Sequence, residues 1–136
     1  MIAVDAGVVI AVLDELDAHN EAAFELLLAA GDQRLVMGPV TRAEALVGAT
    51  RRGRTAEAIA QMDVIGIEEI PLPTDAAVRL AELRATTGVK MPDCCLLLVA
   101  QQTGSALATF DHRLRSAARS LGLAVLPDDE EPDPRS

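Results

Sequence analysis

The sequence predicts an α/β fold, a parallel sheet with helices on both faces, in one domain. Two observations carry this. Short apolar, β-branched runs recur at Ile2–Val4, Leu35–Met37, Ile67–Leu72, Ala106–Thr109 and Ala124–Leu126. Between them lie longer segments whose apolar residues fall at helical spacing, and that alternation is the pattern of a parallel sheet. The length of 136 residues suits a single domain with a substantial core. No internal repeat is present.

Each element has its own reason. Ile2-Ala3-Val4 is short and wholly apolar, hence a buried strand. Val8–Leu13 continues apolar after Gly7 as helix packed on the sheet. From His19 to Ala30, Ala22, Ala23, Leu26, Leu27 and Ala30 keep helical spacing, and Gly31 ends the run. Leu35–Met37 is the second strand. Gly38-Pro39 opens a helix to Thr50, and Arg51-Arg52-Gly53-Arg54 is a polar break. Thr55 is placed to cap the next helix, which runs to about Val64 and carries Ala56, Ile59, Ala60 and Met62. Ile67–Leu72 is the third strand, ended by Pro73. Thr74 is placed to cap a helix to Thr86, with Asp75 in its first turn and Ala77, Leu80, Ala81 and Leu83 as its apolar side. A loop spans residues 87–92. Asp93 leads a helix to about Thr103, apolar almost all round and therefore central. Ala106–Thr109 is the fourth strand. Asp111 starts a helix through Leu114, Ala117, Ala118 and Leu121, closed by Gly122, and Ala124–Leu126 is the fifth strand.

Composition narrows the function. Half the residues are apolar, yet Trp and Tyr are absent and Phe24 and Phe110 are the only aromatics of that set. Base recognition by stacking on aromatic platforms is nearly excluded. The net charge of −9 argues against a basic face that grips duplex DNA unaided. Residues 128–136 hold five acids and one base and read as a disordered acidic tail beyond a domain at 1–127; without them the body still has 16 acids against 11 bases. A nucleic-acid substrate would be met through metal ions and local arginines. Eleven arginines stand against one lysine, Lys90. Cys94 and Cys95 are adjacent in an apolar run, and read as small buried residues rather than a disulfide or a zinc site. Met1 runs straight into a strand with no basic leader, and no apolar run reaches membrane-span length, so a cytoplasmic protein is expected.

The chemistry lies in four acids, Asp5, Glu44, Asp93 and Asp111. Each sits at the C-terminal end of a strand or in the first turns of a helix. In an open parallel sheet, ligands bind in the crevice outside the strand C-termini. An isolated acid at a helix start is usually a cap, which is the plain reading of Asp93 and Asp111. It fits Asp5 less well, because an Asp closing a buried strand needs a partner. It also fits Glu44 less well, since Ala43, Ala45, Leu46 and Val47 point to a largely buried helix face. Four carboxylates gathered at one edge repel one another and are best held by cations. All-oxygen ligands favour Mg²⁺ or Mn²⁺.

These residues also carry a family resemblance. Ile2-Ala3-Val4-Asp5, Arg42-Ala43-Glu44, Met91-Pro92-Asp93 and Thr109-Phe110-Asp111-His112-Arg113-Leu114, followed by Leu121-Gly122-Leu123, stand in the order and spacing of a PIN domain. More narrowly, the chain resembles the VapC-type toxins of bacterial toxin–antitoxin pairs over about residues 1–127. The resemblance implies a PIN-like three-layer α/β/α sandwich with a central parallel sheet of four to five strands. It implies Mg²⁺- or Mn²⁺-dependent endoribonuclease activity with Asp5, Glu44, Asp93 and Asp111 as metal-binding and catalytic residues. It also implies a cognate antitoxin, a homodimer and larger toxin–antitoxin assemblies. Phosphodiester hydrolysis would fall in single-stranded or looped RNA, where the scissile phosphate is accessible.

One departure stands out. The family usually has Ser or Thr two residues after the first Asp, and here that residue is Gly7. Thr109 does keep the hydroxyl expected before the last Asp. Arg51, Arg52 and Arg54, together with His112, are candidate substrate contacts beside Thr109; each also reads as a solvated surface residue. Two rivals remain. A receiver-like phosphotransfer domain would need an acidic pair after the first strand and a lysine near the last, whereas Asp5 is single and Lys90 precedes a helix. A catalytically weak or inactive PIN-fold binding module, acting through its partner complex, is favoured by Gly7 alone.

Overall fold

The structure, a computed structural model, describes residues 1–128. The tail expected at 128–136 lies outside the described residues apart from Asp128. Strands β1 (Ile2–Val4), β2 (Leu35–Met37), β3 (Ile67–Glu69), β4 (Ala106–Ala108) and β5 (Val125–Leu126) form one sheet. Helices α1 (Ala6–Leu13), α2 (Asn20–Ala30), α3 (Pro39–Arg51), α4 (Thr55–Ile65), α5 (Ala76–Thr87), α6 (Met91–Thr103) and α7 (His112–Ser120) connect them.

All strand pairs are parallel, in the order β3-β2-β1-β4-β5. A parallel sheet must be covered on both faces. The period of two along a strand divides the side chains between two cores. Ile2 and Val4, with Leu35, Met37 and Ile67, face α1, α2 and the Ala45 and Met62 side chains of α3 and α4. Ala3, Val36 and Leu107 face α6 and α7, with Leu83 of α5. The result is the expected α/β/α sandwich.

The chain leaves β1 toward β2 on one side and leaves β4 toward β5 on the other. The direction of winding therefore reverses between β1 and β4. Such a switch point opens a crevice at the strand C-termini.

Helix α6 is the buried pillar of the second core. Cys94 through Ala100 are all buried, so no face of this stretch is left for polar residues. Full burial of Leu96, Leu97 and Leu98 contributes about 1.5–3 kcal/mol each. Pro92 sits in the first turn, where its missing N–H costs nothing, so the helix begins at Met91, ahead of Asp93. Gly38, at the end of β2, lets α6 approach: a Cβ there would stand 3.0 Å from Val99 Cγ2. Cys94 and Cys95 are free and buried, as expected of small apolar residues. Among the described residues no helix is long and apolar enough to cross a membrane.

Several local expectations change. Strand β3 stops at Glu69; Ile70 still donates to Met37 O at 2.8 Å, but Pro71 and Pro73 have no N–H with which to continue. Thr74 does not cap α5. Asp75 occupies the N-cap without a side-chain bond, after a turn closed by Ala76 N to Pro73 O. The docked side of α5 runs through Ala76, Leu80 and Leu83, while Ala77 and Ala81 face solvent. Thr55 likewise does not cap α4, because its hydroxyl pairs with Thr50 Oγ1 at 2.8 Å. Ala58 and Met62 are the buried residues of α4, with Ala56 and Ala60 exposed.

Candidate active site

Asp5 follows β1 directly and occupies the N-cap of α1. Its backbone N–H donates to Ala108 O at 2.9 Å, which binds the ends of β1 and β4 together at the switch point. From the β4 side, the Thr109 hydroxyl donates to Asp5 Oδ2 at 2.6 Å. The same hydroxyl accepts from Asp111 N at 3.1 Å. Thr109 is fully buried, so its one hydroxyl links the two acids as donor and acceptor at once. Asp111 also caps α7, accepting from Arg113 N and Leu114 N at 2.9 and 3.1 Å. The plain reading of Asp111 as a cap is thus realised in a residue that also stands at the site.

The other two acids come from helices. Asp93 lies in the first turn of α6 and is half-buried. Glu44 lies in the second turn of α3. The expectation of a buried Glu44 fails: Glu44, Ala43 and Val47 are exposed, because the buried stripe of α3 passes through Thr41 and Ala45 instead.

The electrostatics tie the four together. Burial pushes the Asp5 carboxyl above its ordinary value; the Thr109 bond opposes this and the charge of Asp111 reinforces it. The amides of Ala6 and Gly7 also favour the ionised form, although neither meets hydrogen-bond geometry with the Asp5 side chain. Asp93 is raised by burial, then by the charges of Asp5 and Asp111, against Lys90 and Arg113. Glu44, though exposed by its surface area, is raised by partial desolvation, then by Asp5 and Asp93, against Lys90. Asp5 is the hub, since it acts on both others. Even so, among the described residues no three His, Cys, Asp or Glu side chains converge closely enough to hold one ion. The carboxylates feel one another's charge without closing a ligand set.

The arginine candidates fall elsewhere. Arg51, Arg52 and Arg54 lie at the far end of α3, roughly 10 Å along the axis from Glu44 at 1.5 Å per residue. Arg52 lines a groove of about 530 Å³ with Asp14, Glu15 and Gln61, and Arg54 approaches Glu57 at 3.8 Å. His112 is exposed in the first turn of α7. His19 stacks on Phe110, with ring centroids 4.8 Å apart.

Two basic residues matter more than sequence reasoning allowed. Lys90, the N-cap of α6, places its charge toward Glu44 and Asp93. Its position three residues before Asp93, one helical turn, was a usable signal. Arg115 is only 4% exposed on α7. Its spacing of three from Ala118 put it on the buried face, which was also visible in the sequence.

The PIN domain family model matches residues 2–120, and the chain belongs to that family. Similar folds occur in several solved structures. VapC20 of Mycobacterium tuberculosis, described as a sarcin–ricin loop cleaving toxin, gives a TM-score of 0.72 at 18% identity, covering 86% of this chain and 95% of that one. FitAcB of Neisseria gonorrhoeae gives 0.69 at 19% identity, covering 92% and 96%. VapBC2 of Rickettsia felis, bound to a DNA fragment from its promoter, gives 0.68 at 15% identity, covering 92% and 97%. At these identities the likeness is one of fold. Comparison with curated proteins gave no match.

Proposed function

We propose that this chain is a Mg²⁺- or Mn²⁺-dependent endoribonuclease, the toxin of a VapC-type toxin–antitoxin pair. The observation that carries the reading is the meeting of Asp5 with Thr109 and Asp111 at the switch point, with Glu44 and Asp93 within electrostatic reach. Membership of the PIN family supports a nuclease, and folds shared with toxin and toxin–antitoxin structures support the biological setting.

The donor set fits a hard divalent cation. Its members are carboxylates whose mutual repulsion a cation would relieve. The neighbouring thiols do not compete: burial pushes both Cys94 and Cys95 up, away from the thiolate a softer metal requires. Asp5, Asp93 and Glu44 would hold the ion, with Asp111 near it. When bound, it supplies Lewis-acid charge and lowers the pKa of a water for attack on phosphorus. The Thr109 hydroxyl aims the Asp5 carboxyl and opposes the rise that burial imposes on it. Lys90 and Arg113 offset the acidic field where an RNA phosphate would approach. A cognate antitoxin, a homodimer and a cytoplasmic setting belong to the same reading.

The test is cleavage of total cellular RNA by antitoxin-free protein with Mg²⁺, Mn²⁺ or EDTA, beside Asp93→Asn, with new 5′ ends mapped. Metal-dependent cuts at discrete sites, absent in the variant, are expected. Mn²⁺ binding without any cut would point instead to the weak or inactive binding module that Gly7 favours.

A further inference from the structure

We infer that Arg115 is a positioning residue for the acidic site, clamping the end of β4 to the end of β5 so that the Thr109 hydroxyl stays fixed between Asp5 and Asp111. This rests on the proposed metal site, but it stands on geometry of its own. Beyond the last paired residue of a strand the carbonyls lose their ladder partners, and buried ones require donors. Arg115 supplies them. Its Nη1 donates to Thr109 O at 2.8 Å and to Leu126 O at 3.1 Å, and its Nη2 donates to Pro127 O. Leu126 O also accepts from Thr109 N at 3.1 Å, so one carbonyl receives both the backbone and the guanidinium. The Arg115 backbone N–H returns to Asp111 O at 2.9 Å. A buried guanidinium is thus held by the very segment, 109–111, that presents the hydroxyl and one carboxylate. The planar fork spans carbonyls from two strands at once, which the single ammonium of lysine does poorly. Nothing in the reaction as proposed requires Arg115 to touch substrate or metal.

The clamp predicts that Arg115 acts on the site through Thr109. Arg115→Met removes the guanidinium from three carbonyls, leaving Leu126 O with the bond from Thr109 N, and risks the fold, so Arg115→Lys is the variant of choice. It is combined with Thr109→Val, which removes the hydroxyl, and Thr109→Ser, which keeps it. Two readouts need no RNA: Mn²⁺ affinity by calorimetry, and hydrogen exchange of the Asp111 amide in metal-free protein. Arg115→Lys should weaken Mn²⁺ binding about tenfold, the scale of a lost supporting contact, and speed Asp111 exchange by roughly the same factor. In the Thr109→Val background, Arg115→Lys should weaken Mn²⁺ binding no further; in the Thr109→Ser background it should weaken it as in the parent. Effects that add in the Thr109→Val background would overturn the inference, as would unchanged affinity and unchanged Asp111 exchange in Arg115→Lys. If the parent binds no Mn²⁺, the proposed function fails while the exchange measurement still decides the role of Arg115.

Discussion

The acidic site has two unlike halves. The half at the β1 and β4 ends is built: Asp5, Thr109 and Asp111 are joined by hydrogen bonds of 2.6 and 3.1 Å, on backbone pinned to the sheet. The half on α3 and α6 is open. Among the described residues, neither the Glu44 nor the Asp93 side chain has a hydrogen-bond or ion-pair partner, and Glu44 is exposed. The pre-organised Thr109 hydroxyl, and the Asp5 amide's bond to Ala108 O, hold Asp5 in place. Among the described residues, Glu44 and Asp93 are restrained by their helices and by the charge of Lys90, with that of Arg113 on Asp93 as well. This difference accounts for Asp5, Glu44 and Asp93 being raised by neighbouring carboxylates although the acids do not converge on a common point. A rigid half needs no ion to set its geometry, whereas on the proposed reading the open half would close only if a cation offset the repulsion.

Removing one carboxylate from either half tests the comparison most severely. Asp5→Asn and Asp93→Asn should each lower cleavage by about a thousandfold or more, as expected when several kcal/mol of metal-derived stabilisation are lost. They should differ in the metal-free protein. Asp5→Asn takes an ionisable carboxyl out of the buried half, so its melting temperature in EDTA should lie above that of the parent at neutral pH. Asp93→Asn, in the half that is more open to solvent, should show a smaller rise. Calorimetry of both variants in EDTA decides; equal rises would erase the distinction between the halves.

Next in size is Thr109→Val. Deleting the hydroxyl frees Asp5 and leaves the Asp111 amide without its acceptor, so Mn²⁺ affinity should fall about 10- to 100-fold. Lys90→Gln, acting on the open half through charge alone, should change Mn²⁺ affinity far less. If Lys90→Gln proved the more damaging, the built half would not be the organising one.

The pH dependence follows from the directions of the shifts. Asp5, Asp93 and Glu44 all hold protons more tightly in the folded chain than their ordinary values of 3.8, 3.8 and 4.5. For a carboxyl raised in this way, the contribution to stability is fully present below the ordinary value and is lost as pH rises through the raised one. The melting-temperature gap between Asp5→Asn and parent in EDTA should therefore open as pH rises from about 4 toward neutrality. Because carboxylates bind a cation only when deprotonated, Mn²⁺ affinity should rise over the same range, opposite to the parent's own stability in EDTA, and weaken on the acid side, beginning above the usual carboxylate range. Titration of both quantities over that range checks the two signs together.

Much of the built half was legible in the sequence, and the reason is physical. A strand of three buried residues followed by Asp leaves little freedom, so Asp5, Thr109 and Asp111 could be placed from Ile2–Val4 and Ala106–Ala108 alone. Buried α6 was equally plain, since seven consecutive buried residues admit no polar face. The open half was harder. The helical phase of α3 decides whether Glu44 is covered, and the apolar neighbours Ala43 and Val47 gave the wrong phase. Long basic side chains were hardest of all. The helical positions of Lys90 and Arg115 were readable, but the groups they act on come from distant segments, Glu44 for Lys90 and the carbonyls of Leu126 and Pro127 for Arg115, and spacing alone does not name them.

The smallest expected effect concerns the residue that departs from its family. Gly7 sits in the first turn of α1, beside the built half, and it is exposed. A Cβ there would meet only Asp5 Oδ2, at 3.9 Å, an ordinary contact. Serine therefore fits without displacement, and its hydroxyl would lie within reach of an acid already served by Thr109. A carboxylate oxygen accepts more than one donor, so the new bond would add to the existing one. Since Asp5 is already oriented, the gain should be small: about threefold in Mn²⁺ affinity for Gly7→Ser, near the low end for a single hydrogen bond. A slight rise in melting temperature from the better helix propensity of serine should accompany it. Affinity and stability separate the causes. Stability without affinity would mean that serine helps the helix alone and that Thr109 suffices to hold Asp5. A tenfold or larger gain would mean that the built half is less complete than its hydrogen bonds indicate.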